Sequence, residues 1–313
     1  MRKYALTSKE KEKRLVWASV RATLEAFRFK YKRNGKRSKS RWTLFEKLLH
    51  VFVILLKIAG LYKKGVDNVK NILVNRITVK NENLPGGFDG FKILHLSDLH
   101  IDAIEGFENT VIEKISPLEY DLCVITGDFR KNTSGGYKNI IPAIEKIVKN
   151  IKSKEGILAT LGNHDSFGMV EPLEKTGMRM LINETVTVER NGGEIHFTGT
   201  DDTYYFYTDE ALNALEENRS GFKVVLSHTS ELYDIAASNG YSLYLCGHTH
   251  GGQICLPGGI PVIAHQKEGR RFVKGLWHIN GMTGYTSAGV GVSGVPLRYN
   301  CPGEIVLITL KKE

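Results

Sequence analysis

The segment KILHLSDLH, residues 92–100, places metal-binding side chains directly after a strand pattern. Its first five residues, 92–96, form a short β-rich run around Ile93, Leu94 and Leu96 that is typical of a buried strand. Ser97, Asp98 and His100 follow at once. Carboxylate and imidazole groups bind hard and borderline metal ions, so the segment predicts a strand that ends at a chemically active site.

Four further segments repeat this arrangement of a strand followed by polar groups. The predicted strands cover residues 122–126, 157–161, 223–227 and 242–246. Helical patterns occupy residues 107–115, 137–150, 208–217 and 230–238. Strands that alternate with helices predict a mixed α/β domain.

The polar side chains after the five strands include most types of metal ligand. They are Asp98, His100, Asp128, Asn163, His164, Asp165, His228, His248 and His250. In α/β sheets, ligands and catalytic groups gather beyond the carboxyl ends of strands. One histidine after a strand is an ordinary loop residue, whereas five such clusters together favour a shared site. The rings of His248 and His250, on an extended segment, reach different neighbours, which suits two ions better than one.

The order Asp-X-His, Gly-Asp, Gly-Asn-His-Asp, His and Gly-His-X-His resembles the calcineurin-like metallophosphoesterase family over residues 98–251. The resemblance implies an αββα sandwich of two mixed sheets flanked by helices. It implies one metal site formed by Asp98, His100, Asp128 and His250, and a second formed by Asp128, Asn163, His228 and His248. His164 resembles the catalytic histidine of the family, and Asp165 resembles the acidic partner that orients it.

The resemblance implies two divalent metal ions as cofactors. Two such ions about 3.5–4 Å apart hold a phosphate group and acidify a bridging water. None of the four cysteines belongs to the ligand set, which disfavours a tetrahedral structural zinc. We therefore expect Mn²⁺ first, with Fe or Zn²⁺ as alternatives, in an open site of nitrogen and oxygen ligands.

The positive charge of the protein is concentrated at its amino terminus. Residues 1–42 contain 15 Lys and Arg against 3 Asp and Glu, whereas the remainder contains 28 against 31. The body is therefore slightly acidic, and we expect no nucleic-acid partner for it, although the head alone could bind polyanions. We divide the chain into a basic head (1–42), an apolar helix and linker (43–74) and a metallophosphoesterase domain (75–313).

Two segments near the amino terminus have the pattern of membrane-surface helices. In the first, the apolar residues are Trp17, Val20, Leu24, Phe27 and Tyr31, and Arg14, Arg21 and Arg28 border them. The second, residues 48–62, is interrupted by charged and polar residues, which favours a helix in the membrane interface over a transmembrane span. The chain shows no signal-peptide order, so we expect a peripheral position on the cytoplasmic face of the inner membrane.

The sequences after the metal motifs narrow the expected substrate. Residues 251–257 and 293–302 resemble the bacterial branch of the family that holds membrane-associated phosphodiesterases and the lipid A enzyme that cleaves UDP-diacylglucosamine. A hydrolase held at an anionic leaflet meets acylated phosphates there. We therefore expect a lipid-linked phosphate substrate. The alternatives are a broad phosphodiesterase or phosphatase that docks at the membrane, and a scaffold without catalysis.

Several basic residues are candidates for phosphate binding. They are Arg130 and Lys131 after the second cluster, His265, Lys267, Arg270 and Arg271 in one loop, and Arg298 near the end of the chain. Solvated loop charges are the alternative. Residues 289–294 fit GxGxxG, but no helix pattern follows them, so we expect these glycines to let a loop pass close to the metal site.

Overall fold

The computed structural model describes residues 4–34, 49, 51–217, 219–262 and 272–313, with the side chains of the first helix given up to Phe27. Two six-stranded sheets form its centre. In order across the first sheet lie β1 (Leu73–Asn81), β14 (Glu304–Lys312), β2 (Lys92–Leu96), β3 (Leu122–Thr126), β4 (Ile157–Thr160) and β5 (Arg179–Met180). β14 runs antiparallel to β2, and the remaining neighbours are parallel, so the sheet is mixed.

The second sheet is also mixed. In order across it lie β12 (Gly275–Ile279), β13 (Met282–Thr286), β9 (Leu243–Cys246), β8 (Phe222–Leu226), β7 (Gly193–Gly199) and β6 (Glu184–Arg190). The two outer pairs are antiparallel and the inner strands are parallel. A separate two-stranded hairpin pairs β10 (Cys255–Leu256) with β11 (Ile260–Pro261).

Helices lie outside the two sheets. They are α1 (Ser8–Asn34), α2 (residues 51–58), α3 (Tyr62–Lys70), α4 (Phe107–Ile115), α5 (Ile141–Asn150), α6 (Val170–Lys175), α7 (Asp209–Glu216) and α8 (Tyr233–Ser238). The predicted helix over 137–150 begins as an α-helix only at Ile141, after a 3₁₀ turn, because Pro142 is accepted in the first turn but not in the interior of a helix.

The core is divided into layers by the alternation of side chains along the strands. Ile93 of β2 packs between the sheets in one apolar cluster with Phe197 and Leu245 of the second sheet. Leu94, the next residue, faces the opposite side and packs with α4 and α5. α7 and α8 cover the outer face of the second sheet. The predicted αββα sandwich of two mixed sheets is therefore confirmed, and the apolar runs reflect strands that are buried on both faces.

The first helix is joined to the body by buried side chains. Trp17 and Arg21 are 9% and 1% exposed, and Arg14 forms ion pairs with Glu174 and Glu184 at 3.0 and 2.6 Å. These side chains were expected to face a membrane, and the structure places them against protein instead. Buried carboxylates of the body form ion pairs with the arginines on one face of α1. This face therefore lies against protein and not, as predicted, against a membrane.

The apolar segment 48–62 differs from its prediction as well. α2 ends at residue 58, Gly60 has a left-handed conformation with φ of 70°, and α3 begins at Tyr62. Among the described residues, the predicted helix therefore ends at residue 58, four residues early, and a glycine turn separates it from α3. Within the part of the chain that the structure describes, no helix combines the length and the apolar character that a membrane crossing needs.

Candidate active site

The five predicted polar clusters meet at one edge of the sandwich. β2, β3 and β4 deliver theirs from the first sheet, and β8 and β9 deliver theirs from the second. Five of the residues have positive φ angles, namely Asp98, His100, Asp128, His248 and His250. This conformation costs about 1–3 kcal/mol for a non-glycine residue, and it clusters at functional sites where the surroundings enforce it. The strands thus hold these side chains in strained but defined positions.

Two glycines allow the loops to approach one another closely. A Cβ atom at Gly162 would overlap the carboxylate of Asp128, and one at Gly247 would overlap Ser97 and the carboxylate of Asp98. Only glycine leaves room for the carboxylates at these two places. The glycines of the Gly-Asn-His-Asp and Gly-His-X-His patterns are therefore required by the packing of the site.

The first predicted group of ligands converges as expected. His250 Nε2 lies 3.1 Å from His100 Nε2 and 3.5 Å from Asp98 Oδ1. His100 Nε2 also lies 3.5 Å from Asp128 Oδ2. Metal bonds of about 2.0–2.2 Å to nitrogen and oxygen place neighbouring ligand atoms about 3–4 Å apart. Asp98, His100 and His250 therefore have the spacing of a metal site, with Asp128 beside His100.

The second predicted group surrounds the same Asp128 oxygen. His228 Nε2 lies 3.3 Å from Asp128 Oδ2 and 3.0 Å from Asn163 Oδ1. His248 Nδ1 lies 2.8 Å from Asn163 Oδ1 and 3.3 Å from His228 Nε2. Because Asp128 Oδ2 faces both groups, it is in the position of a bridging ligand.

The protonation of the rings shows that the site suits cations. His100 Nδ1 lies 2.8 Å from the Arg130 carbonyl, and His228 Nδ1 lies 2.7 Å from the Thr126 carbonyl. A carbonyl oxygen only accepts, so both Nδ1 atoms carry a proton, and the Nε2 atom of a neutral ring presents a lone pair. The Nε2 atoms of His100 and His228 both face the carboxylate of Asp128. A deprotonated Nε2 beside a carboxylate is stable only next to positive charge, which a proton on His228 or divalent ions would supply.

The electrostatics of the site lead to the same conclusion. Burial lowers the pKa of His100 to about 3 and raises the pKa of Asp98 to about 6. Burial opposes charge on His228 and Asp128 too, but their mutual attraction outweighs it, raising the pKa of His228 to about 10 and holding the pKa of Asp128 well below its ordinary value. The site thus draws positive charge toward Asp128, where a proton on His228 and a metal ion compete.

His164 lies at the open side of this arrangement. Its Nε2 is 3.8 Å from Asp128 Oδ2, and its Nδ1 donates to the carbonyl of Lys131. His164 also belongs to a candidate ligand group with His100 and Asp128. The ring is held by the backbone, and its Nε2 faces Asp128.

Asp165 has a different place from the one predicted for it. Its carboxylate accepts hydrogen bonds from the backbone N–H groups of Asp128 and Gly162, both at 2.8 Å, and of Phe129 at 3.0 Å. The acceptor for the His164 ring is the Lys131 carbonyl instead. Burial and the nearby Asp128 raise the pKa of Asp165 to about 7. Asp165 therefore fixes the loops that carry Asp128 and His164 and does not orient the ring through its carboxylate.

Comparison with known proteins agrees with this geometry. The sequence profile of the calcineurin-like phosphoesterase family matches residues 91–252. The uncharacterized metallophosphoesterase YkuE of Bacillus subtilis is 31% identical over 247 residues, which cover 75% of this chain and 84% of that protein. The chain belongs to the calcineurin-like phosphoesterase family.

Two further relatives cover most of both chains. The uncharacterized metallophosphoesterase YkoQ of Bacillus subtilis is 29% identical over 82% of this chain and 97% of that protein. The phosphodiesterase YaeI of Escherichia coli is 27% identical over 70% of this chain and 82% of that protein. Family membership and the converging Asp and His residues make this calcineurin-like phosphoesterase a metal-dependent hydrolase with a candidate dimetal site.

Arg298 is not placed where it would bind a substrate of this phosphoesterase. It is fully buried, and its guanidinium donates to the carbonyls of Ala288, Gly289 and Gly291 at 2.8, 3.1 and 2.6 Å. This glycine loop packs against the backbone of Asp98, where Gly291 N donates to the Asp98 carbonyl at 2.8 Å. Arg298 thus supports the loop that passes the metal site, and its prediction as a substrate ligand is corrected.

The other predicted phosphate-binding residues have mixed outcomes. Arg130 is largely buried, and it donates from Nε to the His164 carbonyl at 2.7 Å and from Nη1 to the Gly135 carbonyl at 2.8 Å. Its side chain still lines a cleft beside His164, so substrate contact stays a prediction. His265, Lys267, Arg270 and Arg271 lie outside the described residues.

A cleft of about 170 Å³ opens beside the loop that carries His164. Its walls include Glu25, Arg130, Ser134, Tyr137, Ser166 and Phe206. Glu25 belongs to α1, which the sequence analysis had assigned to the head and not to the catalytic domain. The first helix therefore contributes directly to the surroundings of the candidate active site.

A sixth polar cluster was missed in the sequence. Asp201 and Asp202 follow β7 and are buried, with exposures of 1% and 0%. Asp201 accepts from Trp17 Nε1 at 2.7 Å and from Arg21. The sequence signal is an alternating strand pattern at 195–199, followed after Thr200 by two acidic residues. Asp201 and Asp202 are not part of the family motifs quoted above.

Proposed function

We propose that this protein hydrolyses phosphoric ester or diphosphate bonds with two divalent metal ions. The observation that carries the proposal is the shared position of Asp128 Oδ2, which lies 3.5 Å from His100 Nε2 and 3.3 Å from His228 Nε2. A pair of divalent ions supplies the charge that binds a phosphate group and makes a water acidic at neutral pH.

Side chains of this protein would bind the two ions and supply the proton that the reaction requires. Asp98, His100, Asp128 and His250 would hold one ion, and Asp128, Asn163, His228 and His248 would hold the other. In its imidazolium form, with Nδ1–H held by the Lys131 carbonyl, His164 would donate the proton on Nε2 to the departing oxygen. The buried, fixed loops keep these groups in place, which reduces the reorganisation that the reaction requires.

We propose further that the substrate is lipid-linked, with UDP-2,3-diacylglucosamine cleaved to UMP and acylated glucosamine 1-phosphate. The support from the structure is an exposed apolar face on each of the helices α1 and α2. The residues of these faces are Leu15, Val16, Val20 and Phe27 of α1 and Val51, Ile54, Leu55 and Ile58 of α2, with exposures between 40% and 78%. Beside a head with an excess of Lys and Arg, such a face suits an anionic membrane surface.

The decisive experiment is Mn²⁺-dependent hydrolysis of UDP-2,3-diacylglucosamine by the full chain, with products identified by mass spectrometry. UMP and the acylated sugar phosphate are expected, with none from His164→Ala. The non-acylated UDP-glucosamine serves as the matched substrate and should react poorly. Cleavage of a simple aryl phosphodiester without cleavage of the lipid would favour the alternative, a broad phosphodiesterase or phosphatase that docks at the membrane.

A further inference from the structure

Arg21 of α1 is among the largest fully buried side chains of the described protein, with 1% exposure. Its guanidinium lies 3.5 Å above the ring of Phe206. Its Nη2 donates to the backbone carbonyl of Asp165 at 3.0 Å, its Nη1 pairs with Asp201, and its Nε donates to Glu25 at 3.0 Å. A buried charge is stable only with such a complete set of partners. Arg21 is therefore fixed in a single arrangement that joins three parts of the molecule.

The first of these parts is the loop that carries His164. Asp165, whose carbonyl Arg21 holds, directly follows His164 in the chain. The carboxylate of Asp165 also binds the backbone N–H groups of Asp128 and Gly162. A shift of the Asp165 backbone would therefore move His164 and the bridging Asp128 together.

The second part is the loop after β7. Asp201 accepts from Trp17 and Arg21 of α1 and also from the backbone N–H of Asp202 at 2.8 Å. The same loop carries Tyr204, whose ring centroid is 4.5 Å from that of His248. The loop that α1 contacts at Asp201 thus also contacts His248, a predicted metal ligand, through Tyr204.

The third part is the wall of the cleft. Glu25, one helical turn beyond Arg21, accepts from the backbone N–H of Phe167 at 2.8 Å. Glu25 and Phe206, both partners of Arg21, line the cleft beside His164. The family profile covers residues 91–252 and does not include α1. The family motifs therefore do not account for this part of the site.

We propose that Arg21 is a positioning residue for hydrolysis: by joining the His164 loop to the loop after β7, it holds both loops in the arrangement that full catalytic activity requires. This inference rests on the proposed hydrolytic function. A planar guanidinium is suited to the task, because it donates in several fixed directions at once, whereas a lysine ammonium on a flexible stem does not reproduce that geometry. The head helix is thereby part of the active-site framework as well as a candidate membrane element.

The test compares Arg21→Ala with Arg14→Ala in the full chain. Arg14 is a matched control, because it lies on the same helix and pairs with two carboxylates, but its partners Glu174 and Glu184 are structural. Turnover of a soluble aryl phosphodiester with Mn²⁺ is measured together with hydrogen exchange in the segments around residues 161–169 and 201–207. A soluble substrate separates catalysis from membrane binding.

We expect kcat of Arg21→Ala to fall about 10- to 100-fold, as displacement of catalytic groups by about 1 Å can produce, with KM changed much less. Exchange should rise in both segments, and guanidinium ion at non-denaturing concentration should restore part of kcat. Arg14→Ala should keep kcat within about threefold of the wild type, a difference of less than 1 kcal/mol in activation free energy.

Folded Arg21→Ala with wild-type kcat and unchanged exchange would overturn the proposal, as would equal loss of kcat in both variants. If Arg21→Ala does not fold, Arg21→Lys replaces it, and wild-type kcat in that variant would also overturn the proposal. Wild-type protein that is inactive on every phosphate substrate would refute the proposed function instead, and the exchange data would still test whether Arg21 holds the two loops.

Discussion

The Nε2 atom of His164 lies 3.8 Å from Oδ2 of Asp128, the oxygen that also faces the rings of His100 and His228. One carboxylate oxygen thus stands at the centre of both candidate metal groups and beside the candidate proton donor. His164 is 14% exposed in its side chain, in contrast with the fully buried ring of His100. Partial exposure suits a residue that meets a substrate, and full burial suits one that holds an ion.

His164→Ala is therefore expected to reduce kcat about 10²- to 10⁴-fold, the usual contribution of general acid catalysis. Both metal ions should be retained, because the two predicted ligand groups stay complete. The measurement is steady-state kinetics on an aryl phosphodiester combined with metal content by mass spectrometry. His196→Ala, in β7, is the control and should be active. Loss of one metal equivalent from His164→Ala would instead assign His164 as a ligand.

Metal removal should lower the thermal stability of the protein. Without cations the lone pairs and carboxylates of the site face one another, and ligands that bind only the folded state stabilise it. We expect chelation to lower Tm by several degrees and added Mn²⁺ to restore it, as followed by circular dichroism. An unchanged Tm after complete chelation would contradict a dimetal site formed by these residues.

Asp128→Asn tests the bridging position separately. Since Asp128 Oδ2 serves both groups, the substitution should reduce binding of both ions, whereas loss of a ligand to one group should affect one ion. Asp234→Asn, an exposed aspartate in the first turn of α8, is the matched control and should bind both ions. Retention of one tightly bound ion by Asp128→Asn would show that the two groups do not share this oxygen.

The sequence was sufficient to predict the strands and the ligands, because both depend on local patterns. The predicted helix 107–115 and strand 92–96 are found with those bounds, since continuous apolar runs and helical periodicity report burial directly. The seven predicted ligands come together because each follows a strand whose position in the sheet the fold determines. Because each ligand follows the carboxyl end of a strand, the sequence alone predicts that the ligands meet at one edge of the sheets.

The errors concern long-range contacts that no local pattern reveals. Arg298 resembles an exposed phosphate ligand in the sequence but donates to backbone carbonyls 7 and 10 residues earlier and to the His250 carbonyl 48 residues earlier. The basic stripe of α1 resembles a membrane face, although the partners of Arg21 lie about 140 to 180 residues away. Amphipathicity predicts that a helix has a buried face but does not say whether lipid or protein covers it.

The exposed apolar faces of α1 and α2 should contribute to membrane binding. Phe27→Asp and Ile58→Asp, which place charge at residues with 64% and 78% exposure, are expected to weaken flotation with anionic vesicles. Leu276→Asp, an exposed apolar residue of β12, is the control for the same chemical change and should float as the wild type does. If Phe27→Asp and Ile58→Asp float as well as Leu276→Asp and the wild type, a membrane role for these faces is refuted.

Arg298→Met should destabilise the protein while leaving the substrate preference unchanged. The substitution keeps an apolar stem of similar reach but removes the guanidinium donor from the carbonyls of Ala288 and Gly291. Buried acceptors that lose a charged donor cost about 2–4 kcal/mol in the free energy of unfolding. Urea unfolding measures this difference, with the exposed Arg219→Met as control. A structural arginine lowers the free energy of unfolding when it is replaced. An Arg298→Met protein that keeps its free energy of unfolding while its KM rises sharply would therefore show that Arg298 contacts the substrate.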